Sequence, residues 1–166
     1  MTSVLVTGGA GFIGQHLVSA LVGRDRKVRV LDRRPPLCAI PGVEYVAGSV
    51  LDSALVDDTL RDVEEVYHLA GLPGMWLPQK SDFHAVNFQG TEVVIAAARK
   101  RGTTRFLHCS TESILFRPPS LKDTSDERSL LPPQQMPGVY TRSKMLAEQS
   151  AAQAAAAGFP LVIGTP

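Results

Sequence analysis

Short apolar runs alternate with longer amphipathic stretches along the whole chain. Six short β-rich runs are predicted as strands: residues 3–7, 27–31, 43–47, 65–69, 105–109 and 161–164. The first of them, residues 3–7, is continuously apolar, as expected of a strand that is buried on both faces. Apolar residues recur with a helical period in residues 11–22, 86–101 and 140–157, and a shorter helix is predicted after the N-cap Asp52. This alternation requires strand–helix–strand crossovers. It predicts an α/β fold with a doubly wound parallel sheet between two layers of helices.

Two segments interrupt the regular pattern. Residues 117–138 contain five prolines and are longer than most connections between elements, which indicates either a functional lid or a poorly ordered loop. Met75 and Trp76 follow Pro73-Gly74 in another predicted loop. They either line the mouth of a substrate site or cover the edge of the sheet.

The composition indicates one soluble domain. The 166 residues are 44% hydrophobic and 20% charged with a net charge of +1, so the chain has no basic field that would favour nucleic acid. The most apolar stretch, residues 151–163, is interrupted by Gly158 and Pro160, which argues against a membrane span. Cys38 and Cys109 are predicted to be free thiols in a reducing compartment, and Cys109 is interpreted as a small core residue. We expect a cytoplasmic location.

A glycine-rich turn joins the first predicted strand to the first predicted helix. Gly8, Gly11 and Gly14 recur every three residues in the segment TGGAGFIG, residues 7–14. Such glycines form the tight turn, let the backbone approach a pyrophosphate and let the helix pack against the strand. The helix N-terminus offers free N–H groups to the phosphates. The segment, with Phe12 and Ile13, predicts a dinucleotide-binding loop, whereas glycines without this context would indicate only a structural turn.

Asp32 ends the second predicted strand and bears on the choice of dinucleotide. It lies 18 residues beyond Gly14, close to the position that binds the adenosine ribose. A carboxylate there accepts hydrogen bonds from the ribose 2′-OH and repels a 2′-phosphate, which favours NAD over NADP. Arg33 and Arg34 follow directly and could hold that phosphate instead, so NADP stays the alternative.

Tyr140 and Lys144 form a YxxxK pair in the last predicted helix. Residues four apart share a helix face, so the Lys144 ammonium would favour the ionised form of the Tyr140 phenol. Such a tyrosine can exchange a proton with a substrate hydroxyl or carbonyl. A pair on the helix surface is the alternative, and the glycine loop upstream favours the catalytic interpretation.

Seven segments, in this order, resemble the extended short-chain dehydrogenase/reductase family, the NAD-dependent epimerase/dehydratase group. They are VTGGAGFIG (6–14), LDRR (31–34), GSVLD (48–52), VYHLAG (66–71), VNFQGT (86–91), RFLHCST (105–111) and YTRSKMLAE (140–148). The resemblance extends over essentially the whole chain. It implies a Rossmann-like NAD(P)-binding domain with a three-layer αβα architecture.

The resemblance also implies which residues contact the cofactor. Ser49 and Val50 would flank the adenine, although Ser49 replaces the usual Asp. The backbone of residues 69–71 (Leu69, Ala70 and Gly71) would pass under the cofactor. Thr165 and Pro166 would lie beside the nicotinamide.

The catalytic group is implied in the same way. Asn87 would steady the active-site backbone, and Thr111 would bond the substrate oxygen. Tyr140 would act as the base, and Lys144 would also grip the nicotinamide ribose. No metal site is predicted, and His68 is interpreted as a buried histidine, because no second His or acid has ligand spacing.

The residues after Thr111 bear on the reaction. The resemblance implies hydride transfer at a secondary alcohol or ketone. In sugar dehydratases of this group Asp and Glu follow the threonine, whereas Glu112 and Ser113 follow it here, and Ser113 cannot replace a carboxylate base. This disfavours a dehydratase and leaves an epimerase and an alcohol dehydrogenase or ketoreductase open. Residues 140–148 and 160–166 resemble the branch with sterol-dehydrogenase-like and dihydroflavonol-reductase-like enzymes, so we expect a small-molecule substrate, either a nucleotide sugar or a sterol- or flavonoid-like compound.

Members of the family carry a C-terminal substrate domain after the sixth strand. We therefore expect residues 1–166 to be an NAD(P)-binding domain that is truncated after the sixth strand and lacks the substrate domain. On this expectation the chain alone binds dinucleotide with little turnover, and a dinucleotide-binding fragment is the alternative function. A homodimer is possible, because the sheet edge beside the sixth strand would be uncapped.

Overall fold

Within residues 3–74, 77–115, 126 and 131–166, which the computed structural model describes, six strands form one parallel sheet. They are β1 (Ser3–Thr7), β2 (Lys27–Asp32), β3 (Glu44–Ala47), β4 (Glu65–His68), β5 (Arg105–Cys109) and β6 (Leu161–Gly164). Their spatial order is β3-β2-β1-β4-β5-β6, and every neighbouring pair is parallel. This confirms the predicted parallel sheet.

Helices cover both faces of the sheet. They are α1 (Phe12–Val22), α2 (Ser53–Thr59), α3 (Gly90–Arg101) and α4 (Gly138–Ala156). On one face, Val18 and Leu21 of α1 pack against alternate valines of β1 and β2. On the other face, apolar residues of α2, α3 and α4 pack against residues such as Leu5 and Phe106. The predicted three-layer αβα architecture is therefore confirmed.

The segment before α3 differs from the prediction. A single helix over residues 86–101 is wrong at its start, because a helical turn (Ser81–Phe83) and a π-helical segment (His84–Gln89) precede α3. A π-helical turn frees a carbonyl from the ordinary helical ladder, and here the Thr91 hydroxyl donates to the Asn87 carbonyl at 2.6 Å. A π-helical turn of this kind often marks a functional site.

The second difference concerns the predicted loop at residues 117–138. Residues 116–125 and 127–130 lie outside the described residues, as do Met75 and Trp76. The described end of the loop contains a 3-10 turn (Pro133–Gln135), and α4 begins at Gly138 instead of Tyr140. The first turn of α4 therefore already includes Tyr140.

The strand order reverses its direction of growth between β1 and β4. The chain runs outward from β1 to β3 and then crosses to β4 on the other side of β1. In open α/β sheets such a switch point leaves a crevice at the carboxyl ends of the strands. Among the described helices, none has the length and apolar character needed to cross a bilayer.

Candidate functional site

A cleft of about 580 Å³ opens at the carboxyl ends of the strands. This volume is within the range typical of small-molecule and cofactor sites. Most residues predicted as binding or catalytic line it: Gly8, Gly11, Phe12, Ile13, Gly14, Asp32, Arg33, Ser49, Val50, Leu69, Ala70, Gly71, Thr111, Tyr140, Lys144 and Pro166. The cleft therefore joins the glycine loop and Asp32 to the YxxxK pair.

The glycine loop packs too closely against its neighbours for side chains. Gly8 has a φ of +72°, and a Cβ there would lie 2.7 Å from the Ala70 nitrogen. A Cβ on Gly14 would overlap the Gly8 carbonyl oxygen. Gly11 is the N-cap of α1 and offers no side-chain cap, so the first N–H groups of the helix are free of such a partner. A loop without side chains at a helix N-terminus fits a pyrophosphate.

The carboxylate of Asp32 is held in place at the far end of the loop. Its Oδ2 accepts a hydrogen bond from the Ala10 N–H and its Oδ1 accepts one from the Arg34 N–H, both at 3.1 Å. Arg33 lines the cleft beside it. The nearby Ser49 Oγ accepts a hydrogen bond from the Leu51 N–H at 3.2 Å. These contacts hold the Asp32 carboxylate in place in the cleft.

Thr111 and Tyr140 line the opposite end of the cleft. The Thr111 Oγ1 donates to the Glu112 carboxylate at 3.1 Å. Because a hydroxyl has one proton, the Thr111 oxygen accepts from the Ser113 Oγ, which lies 3.1 Å away. The Tyr140 ring lies edge-on against Phe83, with the ring centroids 5.9 Å apart. Thr111 lies in the segment directly after β5, and Tyr140 lies in the first turn of α4.

Lys144 is a buried cation beside the cleft. Lys144 is only 8% exposed, and its Nζ donates a hydrogen bond to the Cys109 carbonyl at 2.7 Å. Burial lowers the pKa of Lys144, and the nearby Cys109 and Glu148 oppose this shift. A charged group has therefore been placed where its charge costs stability, which is typical of functional sites.

We expect Lys144→Met to raise the free energy of unfolding at neutral pH, because methionine carries no charge that burial disfavours. Because the pKa of Lys144 is lowered in the fold, the unfolded chain binds more protons, and wild-type stability rises as pH approaches 10.5. The advantage of the variant should shrink over that window. Chemical denaturation at neutral and alkaline pH measures this, with the exposed Lys80→Met as the control. A variant that is less stable than wild type at neutral pH would contradict the expectation.

Two predicted site residues lie outside the cleft lining. Asn87 lies behind it: its Oδ1 accepts from the Leu72 N–H at 2.7 Å, and its Nδ2 donates to the Leu72 carbonyl at 3.2 Å and to the Ser143 Oγ at 3.0 Å. The Ser143 Oγ in turn donates to the Tyr140 carbonyl at 2.7 Å. Thr165 is exposed and does not line the cleft, whereas Pro166 does.

Sequence reasoning missed several lining residues. They are Leu31, Gly48, Leu72, Pro73, Val86, Cys109 and Ser110. Most of them share one signal, which is their position at or just after the carboxyl end of a strand. Cys109 is half-buried in the cleft wall, so its interpretation as a core residue is wrong. Burial raises the pKa of the Cys109 thiol, which keeps it protonated. Among the described residues, no group of three or more His, Cys, Asp or Glu side chains is arranged to hold a metal ion.

Comparisons with known proteins agree with this geometry. The model of the NAD dependent epimerase/dehydratase family matches residues 4–166. A ketoreductase of Stigmatella aurantiaca, which acts on 4-hydroxy-2-methyl-3-oxo-4-farnesyl-3,4-dihydroquinoline-1-oxide by its name, is 34% identical over 97% of this chain and 48% of its own length. A 3 beta-hydroxysteroid dehydrogenase/Delta 5-->4-isomerase of Mycobacterium tuberculosis is 33% identical over 88% of this chain and 41% of its own length.

A solved structure has the same fold. MoeE5, in complex with UDP-glucuronic acid and NAD, is similar with a TM-score of 0.83 and 32% identity, over 98% of this chain and 53% of that protein. The chain spans only about half the length of this protein and of the ketoreductase.

Proposed function

Because the chain belongs to the NAD dependent epimerase/dehydratase family, we propose that it binds NAD in the cleft and oxidises or reduces a small-molecule alcohol or ketone there. The observation that carries this proposal is the single cleft that joins the glycine loop and Asp32 to Thr111, Tyr140 and Lys144. NAD-bound MoeE5 supports the choice of cofactor.

The residues of the cleft suit successive parts of NAD. Asp32 accepts hydrogen bonds from the adenosine ribose, while Ser49 and Val50 flank the adenine. The free N–H groups at the start of α1 bind the pyrophosphate. Lys144 and Pro166 lie at the nicotinamide end of the cleft. NAD bound there would supply the hydride-transfer chemistry at the substrate carbon.

The proton is handled by the chain itself. The Tyr140 phenolate takes the proton of the substrate hydroxyl in oxidation, and the phenol so formed gives it back to the carbonyl oxygen in reduction. The Thr111 hydroxyl bonds the same oxygen, in exchange for its bond to Glu112. Lys144, one helical turn further along α4, lines the same cleft and would hold the ribose beside the nicotinamide.

A simple redox reaction is favoured over elimination of water. Elimination needs a base in addition to the redox group, and Ser113 beside Thr111 is engaged in a hydroxyl–hydroxyl contact and is not ionisable at neutral pH. The similarity to a ketoreductase and a steroid dehydrogenase favours a dehydrogenase or ketoreductase. The match to the epimerase/dehydratase family and the similarity to MoeE5 in complex with UDP-glucuronic acid favour an epimerase of nucleotide sugars as the second candidate.

Asp32→Ala is expected to weaken NAD binding by about tenfold or more, because hydrogen bonds to a charged group are lost. Affinity for NADP should fall less or rise, since the variant no longer repels a 2′-phosphate while Arg33 and Arg34 remain. Calorimetric titration of both dinucleotides measures the two constants.

Asp32→Asn is the matched control for this experiment. It keeps a carbonyl oxygen that can accept a backbone N–H, as Asp32 does from Ala10, but it removes the charge. We expect Asn to relax the preference between NAD and NADP and to keep the loop intact. Tighter binding of NADP than of NAD by the wild-type chain would contradict the proposed cofactor.

A further inference from the structure

A buried histidine connects the glycine loop to the segment that holds Asn87. His68 ends β4 and is 1% exposed. Its Nδ1 lies 2.7 Å from the Oγ1 of Thr7, the residue directly before Gly8. Its Nε2 lies 2.9 Å from the Oγ1 of Thr91, in the first turn of α3. The imidazole of His68 on β4 therefore contacts both the end of β1 and the first turn of α3.

The hydrogen-bond partners decide which nitrogen carries the proton. The Thr91 hydroxyl donates its one proton to the Asn87 carbonyl, so its oxygen must accept from His68 Nε2–H. Burial lowers the pKa of His68 to about 3, so the imidazole is neutral and its Nδ1 carries no proton. That nitrogen accepts from the Thr7 hydroxyl, whose oxygen accepts the Ala70 N–H at 3.3 Å. Every donor in this chain of contacts has a defined direction.

The same chain of contacts continues to the catalytic helix. The Asn87 carbonyl that Thr91 bonds belongs to the π-helical segment His84–Gln89. The Asn87 side chain bonds Leu72 and Ser143, and Ser143 bonds the carbonyl of Tyr140. His108 stacks on His68 from β5, with ring centroids 5.7 Å apart, which holds the plane of the imidazole. The contacts thus run from Thr7, before the glycine loop, to the turn that carries Tyr140.

We propose that His68, as its Nε2–H tautomer, is a positioning residue that fixes Asn87, and through Ser143 the turn of Tyr140, relative to the glycine loop. His68 does not line the cleft, and it acts through Thr91 and Asn87 on one side and through Thr7 on the other. Its expected effect on turnover rests on the proposed function, whereas its effect on the Asn87 side chain does not. Because a small misplacement of a reacting group can cost about 10²-fold in rate, loss of this connection should lower turnover more than cofactor affinity.

His68→Gln and His68→Asn form a matched pair for the test. Both side chains are neutral amides, but only Gln is long enough to donate to Thr91 from the position of Nε2. We expect the side-chain amide protons of Asn87 to exchange with solvent about tenfold faster in His68→Asn, as for the loss of one buried hydrogen bond, and to stay close to wild type in His68→Gln. NMR on the labelled chain measures this exchange, and it also reports whether His68 carries its proton on Nε2.

Val94→Ala controls for a general loss of stability. Val94 is fully buried in α3 and is apolar, so this change weakens packing without touching the hydrogen bonds. Equal exchange of the Asn87 amide in His68→Asn and Val94→Ala at matched global stability, or a proton on Nδ1 of His68, would overturn the proposal. If His68→Asn does not fold, Thr91→Val and Thr91→Ser give the same contrast. The Asn87 amide protons should exchange slowly in Thr91→Ser and faster in Thr91→Val. Equal exchange in these two variants would again overturn the proposal.

Titration with NAD separates this proposal from the proposed function. NAD affinity is expected to remain within about threefold of wild type in both His68 variants, because the loss of a single net hydrogen bond at a distance from the cleft has a small effect. If the wild-type chain does not bind NAD but the two variants show the predicted difference in Asn87 amide exchange, the proposed function is refuted and the role of His68 is supported. If the wild-type chain binds NAD but the Asn87 amide protons exchange at the same rate in His68→Gln and His68→Asn, only the role of His68 is refuted.

Discussion

Tyr140→Phe is expected to lower turnover by about 10²–10⁴-fold while it leaves NAD affinity nearly unchanged. The change removes only the phenol oxygen and its proton. Phenylalanine retains the ring, which lies edge-on against Phe83 at 5.9 Å between centroids, so the first turn of α4 should keep its place. The hydrogen bond from Ser143 to the backbone carbonyl of residue 140 is also retained. A loss of rate without a loss of binding would therefore report proton transfer.

The complete gene product is assayed with secondary alcohols, their ketones and UDP-sugars by the absorbance of the reduced cofactor, and calorimetry gives NAD affinity in parallel. Tyr67→Phe is the matched control, because Tyr67 lies on β4 and packs with the α1 side of the sheet, away from the cleft. It should leave turnover unchanged. Normal turnover in Tyr140→Phe would show that another group transfers the proton.

Acidification below about pH 6.5 is expected to destabilise the fold by about 3 kcal/mol per pH unit. Burial lowers the pKa of His68 from 6.5 to about 3, and burial with His68 and Lys144 nearby also lowers the pKa of His108. Below pH 6.5 the unfolded chain therefore binds up to two more protons than the folded chain, and the loss continues as pH falls toward 3. Over two pH units this is a large fraction of the stability of an ordinary domain, about 5–15 kcal/mol.

His108→Phe should reduce this pH dependence by about half, since one of the two groups no longer titrates. Neither ring nitrogen of His108 has a hydrogen-bond partner in the part of the chain that the structure describes, so phenylalanine leaves no buried polar group unpaired. Urea denaturation at a series of pH values measures the slope. His16→Gln, on the exposed surface of α1, is the control and should leave the slope unchanged. If the free energy of unfolding depends on pH as steeply in His108→Phe as in the wild type, His108 does not contribute to the acid sensitivity.

The sheet and the cofactor end of the cleft could be predicted because their signals are local. A short apolar run that is followed directly by glycines, such as residues 3–7, indicates a strand that is covered on both faces. The turn after it needs glycine because a Cβ at Gly8 would collide with the adjacent backbone. Asp32 could be predicted as a cofactor-binding residue because it ends the next strand. Each of these inferences uses backbone sterics and spacing within one strand–helix–strand unit.

The hydrogen-bond partners of the residues behind the cleft were decided by the tertiary structure. The period of residues 86–101 indicated an ordinary helix, yet a π-helical segment forms where Asn87 bonds Leu72 and Ser143, 15 and 56 residues away in sequence. His68 could be identified as buried but not as a connection, because its partners Thr7 and Thr91 are 61 and 23 residues away. The spacing of Lys144 predicts its helix face, but its contact with the Cys109 carbonyl depends on how α4 packs against β5. A buried polar group must find a partner, and which partner it finds depends on the distant elements that fold against it.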